Sequence, residues 1–354
     1  MFQNIPMNAS VHVKSRRSMI FAPIAALVLA VTAFSAPVLA ADAVDEAAAK
    51  KEGNVIWYTS TPIKQAQEIA NLFEKKTGIK VELFRSGGSA ILRRFNQEIE
   101  AGMVATDVLT HSDPAAATQM AAKGLFVSFK PLGFDNLPAS AKDAKGFFVA
   151  QRLNVMTIYL RADKVAAADR PKTWSDLLNP KYKGKMVMTD PSFTSLQVSV
   201  VGMMSKVRGW TFYQGLRKND IMVVQGNEQV SDMIKKGERL IAVGALDSYA
   251  ADDRAAGHDV LTLYPADGVF VIPSPTSVVK GSPHPNAAKL FATFMLTKEV
   301  QEIFPKSGGY AARSDVAAPK GSPDFNSLKV IEVDYDYIQA QGNSIKKKFN
   351  EALQ

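Results

Sequence analysis

From about residue 53 onward the chain keeps a beat that admits few folds. A short apolar run gives way to a loop of Ser, Thr, Gly and Asp, then to a stretch with helical spacing, and the pattern starts again. Val55-Ile56-Trp57-Tyr58 has the length and β-branched content of a buried strand. Thr59-Ser60-Thr61-Pro62 follows, with Thr61 placed to cap a helix whose first position is Pro62, where a missing N–H costs nothing. Ile63, Ala66, Ala70 and Phe73 recur at helical spacing, and Lys75-Lys76-Thr77-Gly78 closes that helix with positive charge and a glycine. Residues 80–84 predict a second strand, Ser86-Gly87-Gly88-Ser89 its loop, and Leu92, Phe95 and Ile99 the stripe of a helix ending at Gly102. Residues 107–110 predict a third strand, after which His111-Ser112-Asp113-Pro114 starts a helix ending at Lys123-Gly124.

A long extended segment, 147–160, separates this series from another. Strands are expected at 185–188, 221–224 and 240–243. The loops after them are 189–195, Gln225-Gly226-Asn227-Glu228 and Ala245-Leu246-Asp247-Ser248-Tyr249. An extended apolar run at 269–272 and helices over 286–304 complete the pattern. Alternating strands and helices with short connections predict an α/β fold, its sheets mostly parallel and covered on both faces. No near-identical internal repeat is present, which argues against a solenoid. With 354 residues the chain is long enough for two domains.

The first 40 residues stand apart. Lys14, Arg16 and Arg17 precede an apolar stretch from Met19 to Phe34, and Ser35-Ala36-Pro37-Val38-Leu39-Ala40 supplies a small-residue cleavage site. This is the pattern of a secretory signal peptide and is too short for a membrane span of roughly 20 residues. The adjacent arginines are ordinary in such a leader and do not by themselves indicate twin-arginine export. Loss of the three basic residues lowers the net charge from +8 to +5. Lys and Arg are scattered and not interleaved with aromatics, so no nucleic-acid partner is expected, while a mild positive excess favours anionic ligands.

Ligands of open parallel sheets bind beyond the carboxyl ends of strands, against helix N-termini. The residues that fall there are Thr59, Ser60 and Thr61; Ser86, Gly87, Gly88 and Ser89; Ser112; Asp190, Ser192 and Thr194; Glu228; and Asp247 with Tyr249. Ser86-Gly87-Gly88-Ser89 is the sharpest of these loops. Its glycines let backbone approach a ligand closely and its serines carry hydroxyl donors. Any one serine or threonine is accounted for by capping its own helix; the argument for a site rests on five hydroxyl-bearing loops along one edge.

Enzymatic signatures are missing. The sequence has no G-x-S-x-G elbow, no phosphate-binding G-x-x-x-x-G-K-[ST] loop, no G-x-G-x-x-G and no H-E-x-x-H. It has no cysteine, which excludes disulfides, thiol chemistry and Cys-ligated metal. Of four histidines, His111 lies beside Ser112 and Asp113, but triad partners meet in space and not in sequence. No cofactor is expected.

The mature chain resembles the bacterial solute-binding proteins of ABC importers, in the branch that includes ferric-ion-, phosphonate-, sugar-phosphate- and thiamine-binding members. The resemblance rests on Gly53-Asn54-Val55-Ile56-Trp57-Tyr58-Thr59-Ser60, Phe73-Glu74-Lys75-Lys76-Thr77-Gly78-Ile79-Lys80-Val81 and Thr106-Asp107-Val108. Further matches are Thr173-Trp174-Ser175-Asp176-Leu177-Leu178, Tyr182-Lys183-Gly184-Lys185, Tyr264-Pro265-Ala266-Asp267-Gly268, Ile272-Pro273-Ser274-Pro275 and Asn286-Ala287-Ala288-Lys289-Leu290-Phe291. It implies a type II periplasmic-binding-protein-like fold: two lobes, each a mostly parallel sheet flanked by helices, joined by crossover hinge strands at 147–160 and 268–280. The lobes would comprise 41–152 with 272–310, and 153–271 with 311–354, the tail capping the second lobe.

By the same resemblance the chain is expected to be a monomeric periplasmic receptor, not an enzyme. It would capture a small anionic solute in the cleft and deliver it to the transmembrane subunits of an ABC permease. Ferric-binding relatives hold iron with two adjacent tyrosines, often with a His and a carboxylate. Here one tyrosine, Tyr249, stands beside Ser and Ala, so the ferric alternative has only Tyr249, Asp247 and Glu228 to draw on. A remoter alternative is an exported transferase or hydrolase on the same fold.

Overall fold

The computed structural model describes residues 42–353; the expected signal peptide lies outside the described residues. A short helix, α1 (Glu46–Glu52), capped by the Asp45 side chain, leads into β1 (Asn54–Thr59). Then come α2 (Ile63–Thr77), β2 (Lys80–Arg85), α3 (Gly88–Glu100), β3 (Val108–Thr110) and α4 (Pro114–Ala122), as the apolar periodicity predicts. Strands β2, β1 and β3 are parallel neighbours. Asp113 caps α4 by accepting a hydrogen bond from the Ala116 N–H at 3.0 Å.

The expected cap at Thr61 is not formed. Helix α2 begins at Ile63, and extended Pro62 precedes it with no side-chain cap. The Thr61 hydroxyl is instead buried, donating to Gln151 Oε1 at 2.8 Å and accepting from Arg152 Nη1 at 2.9 Å. A fully buried hydroxyl satisfies the partners packed against it before it caps a helix.

The second series is β4 (Val149–Arg161), β5 (Met186–Thr189), α5 (Ser195–Arg208), α6 (Thr211–Lys218), β6 (Met222–Val224), α7 (Asn227–Lys236), β7 (Ile241–Leu246), α8 (Asp247–Ala255) and β8 (Val260–Leu263). It closes with β9 (Val269–Val278), α9 (Pro285–Met295), α10 (Lys298–Gln301), α11 (Ile303–Lys306), β10 (Tyr310–Ala311), β11 (Val330–Ile331) and α12 (Tyr335–Leu353). Strands β7, β5 and β6 are again parallel neighbours. Strand β7 runs longer than expected, to Leu246, and α8 starts at once, so Asp247 is a helical residue and not a loop residue.

The sheet order is β2-β1-β3-β9-β4-β7-β5-β6. Both ends are parallel, but the centre is not. Strand β9 runs antiparallel to β3 and to β4, and β4 antiparallel to β7 and β8. Alternation alone predicts parallel pairing. The two long extended segments break that rule because each is a direct link between the parallel ends with no helix of its own. They coincide with the segments expected to be hinges.

Each end has its own core. Trp57, Phe73 and Phe291 interlock in one, with ring centroids 5.1 and 4.9 Å apart. Trp174, Tyr213, Phe270 and Phe349 belong to the other. In the tail, α12 lays Ile338, Ile345 and Phe349 on α5 and α6, with Gly202 of α5 leaving room for both isoleucines. It also reaches α4.

His111 is fully buried and neither ring nitrogen finds a partner among the described residues. Burial lowers its pKa from 6.5 to about 3. The unfolded chain therefore takes up a proton near pH 6.5 that the folded protein refuses, and stability is lost as pH falls from about 6.5 toward 3. For this group the loss is about 2 kcal/mol by pH 5. Melting temperatures of wild type and His111→Phe are expected to diverge between pH 7 and 5, the wild type falling faster; parallel curves would contradict this.

Candidate functional site

A cavity of about 300 Å³ opens where the carboxyl ends of the strands from both ends of the sheet converge. Ser60 follows β1; Arg85 ends β2, with Ser86, Gly87 and Gly88 after it; and Ser112 follows β3. Arg152 reaches in from β4. From the other end come Phe193, Thr194 and Ser195 after β5, Gln225 to Gln229 after β6, and Leu246 and Tyr249 around the start of α8. Helices α3, α5, α7 and α8 all begin at its wall, so four N-termini, each worth roughly half a positive charge, converge on one volume.

The sequence-derived set divides here. Ser60, Ser86, Gly87, Gly88, Ser112, Thr194, Glu228 and Tyr249 line the cavity. Thr59, Thr61, Ser89, Asp190, Ser192 and Asp247 do not. The Thr59 hydroxyl donates to Thr61 Oγ1 at 2.8 Å and stays buried. Ser89 is buried within the first turn of α3. The Asp190 carboxylate closes its own turn by accepting from the Ser192 N–H at 2.6 Å. Asp247 is buried with neither oxygen hydrogen-bonded among the described residues, and burial drives its carboxyl well above the usual range.

The glycine pair serves a purpose that sequence does not reveal. A Cβ on Gly88 would stand 2.6 Å from Ser195 Oγ, and one on Gly87 3.1 Å from the Phe193 carbonyl oxygen. The close approach that the glycines permit is between the two walls of the cleft. Ser195 Oγ then donates to the Ser112 carbonyl at 3.2 Å across the same seam.

Two arginines were missed by the sequence reading. Arg152 is 4% exposed. Its Nε donates to Asn154 Oδ1 at 3.1 Å and its Nη1 to Thr61 Oγ1 and Gln151 Oε1 at 2.9 and 3.1 Å. All three acceptors are neutral. Among the described residues no carboxylate pairs with Arg152 and its Nη2 makes no hydrogen bond. Burial, with the Arg85 charge adding to it, lowers its pKa to about 10. A guanidinium held by neutral acceptors at the floor of a cavity is a cation without its anion. Gln151, Arg152 and Asn154, polar residues inside an apolar extended run, were the available signal.

Arg85 differs. Its Nε donates to the Thr61 carbonyl at 3.2 Å and its Nη2 lies 3.0 Å from Glu228 Oε1. The Tyr249 hydroxyl donates to that same oxygen at 3.4 Å. Burial and the neighbouring Glu228 push the Tyr249 phenol well up, the reverse of what a phenolate ligand needs. Ser60 Oγ is buried in the lining with no partner among the described residues.

Comparison with known proteins adds a family. Residues 68–329 match the family model for bacterial extracellular solute-binding protein. A putative 2-aminoethylphosphonate-binding periplasmic protein of Salmonella paratyphi A is 25% identical over 71% of this chain and 72% of that protein. Among solved structures, the periplasmic binding protein AfuA of Actinobacillus pleuropneumoniae, with fructose-6-phosphate bound, superposes with a TM-score of 0.75. The identity is 19%, and the match covers 85% of this chain and 98% of that one. Iron-bound HitA of Pseudomonas aeruginosa superposes with a TM-score of 0.74 at 20% identity, covering 84% and 99%. These likenesses place the fold among type II periplasmic binding proteins.

Proposed function

The chain belongs to the bacterial extracellular solute-binding proteins, and from that premise we propose that it captures a small organic anion in the cleft for delivery to an ABC permease. The observation that carries this reading is Arg152: a buried cation whose Nη2 makes no hydrogen bond among the described residues, in a cavity onto which four helix N-termini and the unpartnered Ser60 hydroxyl also converge. Closing the cleft gathers positive ends that repel one another, and a bound anion turns that repulsion into attraction. The free-energy difference between open and closed forms is then set by the solute, which is what a receptor signalling its loaded state to a permease requires. In this reading residues 41–152 with 272–310 and 153–271 with 311–354 form the lobes, β4 and β9 the hinge, and the leader directs the chain to the periplasm. Among the described residues no helix is long and apolar enough to cross a membrane.

The ferric reading has weaker support. Tyr249 lines the cavity while Asp247 does not, and no group of three or more His, Asp or Glu suited to a metal occurs among the described residues. The two readings separate in one titration. 2-Aminoethylphosphonate and a hexose phosphate are the first probes, and saturation at a hundred times Kd raises stability by about 2.7 kcal/mol. Ferric citrate is expected to produce no visible charge-transfer band. A band that Tyr249→Phe abolishes, with no shift from either organic anion, would overturn the proposal.

A further inference from the structure

Glu228 stands in the wall of a cavity otherwise suited to anions, and its placement narrows the solute. Its side chain is 56% exposed. Both of its partners, Arg85 and Tyr249, meet the same oxygen, Oε1, and Oε2 makes no hydrogen bond among the described residues. The neighbouring residue in the lining, Asn227, leaves its Oδ1 without a donor. The first turn of α7 therefore presents two unmet acceptors, one of them charged. The floor presents the opposite: the unmatched Arg152 guanidinium and the unpartnered Ser60 hydroxyl.

The charges make the same division. Arg85 is already matched by Glu228, and Arg152 has no counter-anion. The lining thus carries a net formal charge of +1, from two arginines and one glutamate. A solute bearing only negative charge would satisfy Arg152 but set a second anion or bare hydrocarbon against Glu228 as the cleft closes and sheds water. A solute with an anionic group at one end and an ammonium at the other meets both ends of the cavity.

We infer that Glu228 is a specificity-determining residue and that the solute is a zwitterion, its anion on Arg152 and its ammonium on Glu228 Oε2 and Asn227 Oδ1. This rests on the anionic-solute reading and goes beyond it in the chemistry of the second end. Charge discrimination then comes from Glu228, not from Arg85, whose guanidinium acts by holding Glu228 in place.

The test compares two phosphonates of matched shape, 2-aminoethylphosphonate and n-propylphosphonate, in which a methyl group replaces the ammonium. Calorimetric titration of the purified wild type is expected to show at least a tenfold preference for the amino compound. In Glu228→Gln, which is exposed and expected to melt as wild type does, that preference falls below about threefold, chiefly because the amino compound binds more weakly. Equal binding of the two phosphonates to wild type, or a preference unchanged in Glu228→Gln, would overturn the inference while leaving the anion reading intact. Binding of neither phosphonate to wild type would overturn the inference, and failure of a hexose phosphate to bind as well would overturn both.

Discussion

Replacing Arg152 by glutamine is expected to weaken binding of the anionic solute at least a hundredfold while leaving the ligand-free protein as stable as wild type or more so. Removing one partner of a buried, hydrogen-bonded charge pair costs about 2–5 kcal/mol of binding, and among the described residues no carboxylate pairs with Arg152, whereas Arg85 is paired with Glu228. In the empty protein the same guanidinium is a burden, since desolvation favours its neutral form enough to lower the pKa to about 10. Glutamine removes the charge yet keeps an N–H donor for Asn154 Oδ1 or Thr61 Oγ1, the acceptors that Arg152 now serves. Loss of affinity without loss of melting temperature distinguishes a ligand-binding arginine from a structural one. A variant that binds normally, or that loses affinity only because it unfolds, would remove the central support for an anionic solute.

The second large effect is on stability. Gly308 has φ +73°, and a Cβ there would lie 1.9 Å from Ala251 Cβ and 3.3 Å from Ala251 Cα. No rotamer relieves a contact between two Cβ atoms, so Gly308→Ala forces the segment after α11 away from α8 and adds left-handed backbone strain. Together these are expected to cost on the order of 3–5 kcal/mol. Helix α8 carries Tyr249 to the cavity, so the displacement also reaches the site. Ala251→Gly in the same chain removes the overlap but not the strain and recovers about half of the loss. Urea denaturation of the two variants and the double mutant tests this; a Gly308→Ala protein as stable as wild type would refute it.

Much of the fold is legible in the sequence because its signals are local. Asp113 before Pro114, the glycines closing α2 and α7, and the apolar stripes of α2 and α3 each specify an element from a few neighbouring residues. The family resemblance supplied the crossover strands, which local signals do not: β9 pairs with β3 and β4 across more than a hundred residues, and nothing in its composition says whether its neighbours run parallel. The site is legible as a place more than as a residue set. Strand-end loops marked Ser60, Ser86 to Gly88, Ser112, Thr194, Glu228 and Tyr249. Capping logic misassigned Thr61, whose hydroxyl answers to Gln151 and Arg152 from another strand. The strand-end rule also brought in Asp190, which serves its own turn. Arg152 escaped because it lies within a strand, where a charged residue is read as an interruption until its neighbours are known to lack an acid.

Native mass spectrometry of residues 41–354, purified gently and without chelators, tests the claim of an anionic solute most directly. The wild type is expected to carry a small organic mass that identifies as an anion or zwitterion, and Arg152→Gln, prepared in parallel, to carry none. An iron-sized adduct on both proteins, or a neutral or purely cationic solute retained by Arg152→Gln, would contradict the account.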